Sequence, residues 1–105
     1  MQFIDNAPLY RIVRTTGPTH NMLGLEFFDD DTIAAPIIEI LDAGKETPRL
    51  QADAVAAAVA RGLEVAAAET GRHRQIRRIQ FLASDSPPVE VYTMLTQEIL
   101  RRIAS

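Results

Sequence analysis

The stretch TPRLQADAVAAAVARGLEVAAAETG (Thr47–Gly71) narrows the possible folds most. It is dominated by alanine, the strongest helix former, and so predicts one long helix. Val55, Val59, Leu63 and Ala66 make one apolar stripe on that helix. Leu50, Ala54, Ala58 and Val65 make a second stripe beside it. An apolar surface this wide has to be covered on more than one side. Small side chains let a backbone approach closely, which suits a helix lying flat on a sheet. Thr47 is placed as an N-cap, Pro48 as the first helical residue and Gly71 as a left-handed C-terminal residue. Gly62, inside the helix, costs about 1 kcal/mol relative to alanine, so it signals a tight contact or a kink.

The sheet for this helix comes from short segments on either side. LYRIVRTT (Leu9–Thr16) and NMLGLEFF (Asn21–Phe28) read as strands joined by a turn at Gly17-Pro18. Their closeness makes an antiparallel pair the economical arrangement. Leu23, Leu25 and Phe27 share one face by the two-residue period. Gly24 lies on the other face and marks a bulge or a close approach. Residues 36–41 are compatible with strand or helix. Their β-branched content and short length favour a strand. RRIQFLAS reads as a strand with Ile79, Phe81 and Ala83 facing inward. A second helix follows, with Ser86 as N-cap and Pro87 as first helical residue; Tyr92, Leu95, Ile99 and Ile103 face the core.

The order β-β-β-α-β-α predicts an α+β two-layer sandwich: a small, mostly antiparallel sheet with two helices on one face. The crossover through the long helix allows one parallel strand pair. A chain of 105 residues, 47% apolar and 24% charged, fits a single domain spanning residues 1–105. It contains no cysteine, so thiolate chemistry, disulfides and cysteine zinc sites are excluded. The N-terminus does not read as a signal peptide, and no apolar run approaches the roughly 20 residues of a membrane helix. The expectation is a cytoplasmic protein with no membrane contact.

Catalytic and cofactor motifs are missing. There is no glycine-rich phosphate loop, no G-x-S-x-G elbow and no paired-histidine metal motif. The Asp29–Asp31 run lacks the spacing and glycine of a calcium loop and reads as a solvated turn. Ser84 and Ser86 sit where a helix cap is expected. No metal or cofactor is therefore expected.

One run stands out. In GRHRQIRRIQF, Arg72, Arg74, Arg77 and Arg78 fall within seven positions of an acidic chain of net charge −3. Residues 29–70 carry three basic and nine acidic residues, and residues 71–105 carry six basic and three acidic. A fold that joins these segments neutralises them internally; one that separates them leaves two charged faces. Basic residues after a helix also favour its negative C-terminal end. Arg74 and Arg78 share strand parity and form the pair best suited to grip an anion.

Three readings follow. The first is a small non-enzymatic interaction or regulatory protein, such as an adaptor, inhibitor or accessory subunit. It would pair with itself as a homodimer or with another protein, through Val91, Met94 and Leu100 on the last helix. The second is a small-molecule-binding module, or a modest enzyme, with a cleft near His20 and Glu26. The third is anionic-ligand or nucleic-acid binding through Arg72–Arg78. Acidic overall charge and the lack of interleaved aromatics weigh against nucleic acid.

Overall fold

The computed structural model describes residues 1–28, 30, 34–45 and 47–104. The hairpin foreseen from the sequence sets its plan. The Leu9–Thr16 segment (β2) turns at Gly17-Pro18 into Thr19–Phe27 (β3), and the two pair antiparallel along their full length. The segment after the long helix, Ile76–Leu82 (β5), pairs antiparallel with β3 on its other edge. Residues Ile37–Leu41 (β4) are a strand and run parallel to β5, the one parallel pair of the sheet. An N-terminal strand, Gln2–Asn6 (β1), adds to β2 and completes the order β1-β2-β3-β5-β4. It carries no alternation in the sequence because only Phe3 turns toward the core.

The helices are Ala52–Thr70 (α1) and Val91–Ala104 (α2). Both pack on the sheet face that carries Ile12, Leu23, Leu25, Phe27, Ile79 and Phe81. The fold is thus α+β, a mostly antiparallel sheet with two helices. From α1 the core receives Val55, Ala58 and Val59, and from α2 Tyr92, Leu95 and Ile99. Each fully buried large apolar side chain here contributes about 1.5–3 kcal/mol.

Both helix starts lie later than the sequence suggests. Thr47 and Pro48 precede α1 without joining it. Gln51 stands in the N-cap position, extended and without a side-chain cap bond. The segment before it is diverted inward: Leu50 is buried in the core, and the Arg49 N–H donates to Ala83 O at 3.4 Å. Ser86 does not cap α2. It is buried and tied to β3, its N–H donating to His20 O at 3.1 Å while its Oγ accepts from His20 N–H at 3.4 Å. α2 begins five residues further on, at Val91.

The end of α1 is as expected. Gly71 has φ 73° and its N–H donates to Ala67 O at 2.7 Å. Gly71→Ala forces an L side chain into the left-handed region and should lower stability by about 1 kcal/mol. Urea denaturation checks this.

Gly62 marks a contact. A Cβ there would lie 2.7 Å from both Thr93 O and Thr96 Cβ, so α2 passes directly over it. At the same crossing Thr93 Oγ1 donates to Ala58 O at 2.8 Å. Among the described residues no helix is long and apolar enough to cross a membrane.

Candidate functional site

Chemically distinctive groups collect in three places. The first is the end of β5. Asp85 is fully buried, and its carboxylate accepts from three donors: the Met22 N–H (3.1 Å), the Leu82 N–H (3.2 Å) and the Tyr92 hydroxyl (2.5 Å). It thereby ties β3, β5 and α2 at one point. Asn21, also buried, donates from Nδ2 to Ser86 O at 2.8 Å and to the Tyr92 hydroxyl oxygen at 3.4 Å. Burial raises the Asp85 carboxyl above its ordinary value; the Tyr92 hydroxyl, the two amides and the charge of His20 oppose that rise. Burial and the neighbouring carboxylate also push the Tyr92 phenol up. Beside this lock, His20 Nε2 and Ser84 Oγ lie 2.9 Å apart. Among the described residues no carboxylate hydrogen-bonds the imidazole as a catalytic orienting acid would, and Asp85 is turned to its own three donors.

The second place is the sheet face away from the helices. A polar chain crosses it from β2 to β4. Arg11 donates from Nε and Nη2 to Gln80 Oε1 at 3.3 and 3.1 Å, and Gln80 Nε2 donates to Glu39 Oε1 at 2.8 Å. Arg78 Nη1 reaches Glu39 Oε1 at 2.9 Å. Its buried Nε makes no hydrogen bond but lies 3.6 Å from Glu26 Oε1, and Glu26 also pairs with Arg77 at 3.4 Å. Gly24 lies under this chain. A Cβ at residue 24 would fall 2.9 Å from Gln80 Oε1, so the glycine marks a close approach. The strand's irregularity sits at Glu26/Phe27 instead. Hydrogen bonding from Gln80, then from Arg78, holds the Glu39 carboxyl below its ordinary range. Part of the basic excess of residues 71–105 is thus neutralised by Glu26 and Glu39.

The third place is the end of the molecule where both helices finish. Two cavities open there, of about 330 and 340 Å³. Arg74 and Leu63 line both. The Arg74 guanidinium sits over the Phe27 ring, 5.4 Å from its centroid.

The residues singled out from the sequence are scattered among these places. His20 and Glu26 share a face of β3 but lie six residues apart, about 20 Å along the strand. Neither lines either cavity. Arg78 is held by Glu39 and Glu26 on the open face, whereas Arg74 stacks on Phe27, a core residue of the opposite face. The two do not form a common fork. On α2, Met94 is exposed, while Val91 and Leu100 are half-buried against the core. Asp29 and Asp31 of the acidic run lie outside the described residues. The sequence places Tyr92 in the core but does not show its link to Asp85 and Asn21, because three separate segments supply them. Comparison with family models, with curated proteins and with solved structures finds no match to this chain.

Proposed function

We propose that the chain is a non-enzymatic interaction protein that works as a homodimer, joined through the open face of its sheet. One observation carries this reading. Among the described residues no element covers that face, yet it holds exposed Ile4 and Ile37 near its two lateral edges and a buried Met22 between them. Val13, Leu41 and Leu82, half-buried, extend the apolar row around Met22. A two-fold contact sets a patch against itself, so it needs both signs of charge on one surface. Arg11, Arg78 and Arg77 interleave there with Glu39 and Glu26. Such a dimer leaves both helical layers free to engage further protein, as an adaptor, inhibitor or accessory subunit does.

Sedimentation velocity tests the proposal. The wild-type chain should sediment as a dimer at micromolar concentration. Ile37→Glu combined with Ile4→Glu should sediment as a monomer with an unchanged circular dichroism spectrum, since both side chains are exposed. A monomeric wild-type chain overturns the proposal, as does a dimer indifferent to both substitutions.

A further inference from the structure

We propose that the groove between the C-terminal halves of α1 and α2 binds an aliphatic carboxylic acid, its chain between the helices and its carboxylate on Arg72 and Arg74. The groove follows from the helix sequences. α1 turns small residues toward α2 at intervals of four: Ala58, Gly62 and Ala66. At Gly62 the helices touch, with Thr93 O and Thr96 filling the space a side chain would take. One turn later Ala66 offers only a methyl group, and a cavity of about 330 Å³ opens between it and Leu100. Leu63 and Ala104 extend its apolar walls. That volume lies at the lower end of the roughly 300–1,000 Å³ of small-molecule sites, and an elongated slot between two helices suits a chain rather than a ring system.

The head-group end carries the charge. Arg72 and Arg74 both line the cavity, and among the described residues neither has a carboxylate within ion-pair distance. Arg74 is held in place by its contact with the Phe27 ring, so its guanidinium is positioned before any ligand arrives. Glu69 also lines the cavity, and Arg101, which lines it too, is paired with Glu98 at 3.4 Å. Each helix C-terminus places about half a negative charge at this end. Two guanidinium groups beside an apolar slot remain a match for a carboxylate, which planar arginine grips through paired hydrogen bonds. The site lies on the helical side of the molecule, so it is independent of the sheet-face dimer.

The experiment is a titration of the full chain, followed by two-dimensional amide NMR, with decanoate, 1-decanol and acetate as probes. Decanoate should bind saturably, with the largest shifts at Ala66, Leu100 and Ala104. Decanol should bind at least about ten-fold more weakly, and acetate should not saturate. Arg72→Gln combined with Arg74→Gln should weaken decanoate by about ten-fold or more. Ala66→Phe should fill the slot and abolish binding; exposed Ala104→Phe does the same at the rim, where a larger side chain does not challenge folding. Three results each overturn the proposal. One is no saturable decanoate binding. The second is decanol binding equal to decanoate, which leaves the arginines as compensation for the helix ends. The third is decanoate affinity unchanged by the arginine or the slot-filling variants.

Discussion

Asp85→Ala is expected to cost about 3–5 kcal/mol at neutral pH, a large share of the roughly 5–15 kcal/mol that stabilises a domain. The substitution leaves three donors without a partner: the Met22 and Leu82 amides and the Tyr92 hydroxyl. A buried donor left unpaired costs about 1–3 kcal/mol. Tyr92→Phe removes one donor and leaves the carboxylate its amides, so it should cost less. Urea denaturation of both variants checks the ranking. The sign of the pH dependence follows from burial. Burial raises the Asp85 carboxyl in the folded chain above its ordinary value of 3.8. The folded state therefore keeps its proton to higher pH than the unfolded state does. The stabilisation linked to that proton is complete below the ordinary value and is lost as pH rises through the raised one. The stability gap between wild type and Asp85→Ala should accordingly be widest in acid and narrow toward neutrality. A gap that widens instead would mean that the hydrogen bonds to the ionised form outweigh its desolvation.

Gly62→Ala is expected to destabilise the chain by about 1–3 kcal/mol, although alanine is the better helix former by about 1 kcal/mol. The new methyl group would meet Thr93 O and Thr96 Cβ, each at 2.7 Å. One neighbour is backbone, so α2 must move as a body, and Thr93 Oγ1 would then lose Ala58 O. Gly62→Leu should cost more still. Thermal or urea unfolding decides the sign directly: a stabilised alanine variant would show that α2 shifts without penalty.

What could be read from the sequence was local. The two-residue period of Leu23, Leu25 and Phe27 identifies the inward face of β3, and Gly71 ends α1 because only a left-handed residue closes that turn. The α+β arrangement and the parallel partner of β5 follow from element order alone. Helix starts were misplaced for a shared reason. Thr47-Pro48 and Ser86-Pro87 both look like caps, but tertiary contacts recruit the segments behind them: Leu50 into the core, and Ser86 onto His20. The polar chain over Gly24 was half legible. The glycine signalled a close approach, but that Gln80 and Arg11 make it depends on strand register. The arginine run was legible as a feature and not as a site. Arg74 lies before β5 begins and the register shifts at Glu26/Phe27, so shared parity does not carry over: Arg78 joins Glu39 while Arg74 rests on Phe27.

The strand order has a consequence for how the chain assembles during synthesis. β1, β2 and β3 lie within the first 27 residues and are neighbours in sheet order, so this meander can form before the rest of the sheet is made. β4 emerges next but has no partner, because its neighbour β5 is made after α1. Until β5 slots between them, β3 presents an open hydrogen-bonding edge, and Leu23, Leu25 and Phe27 lack the cover of α2. At about 5–20 residues per second, the interval between completing β3 and completing α2 is about 4–15 s. An unpaired edge beside an apolar face is a template for joining another chain. The hazardous interval for this fold therefore falls before α2 is made, with the sheet's central gap unfilled.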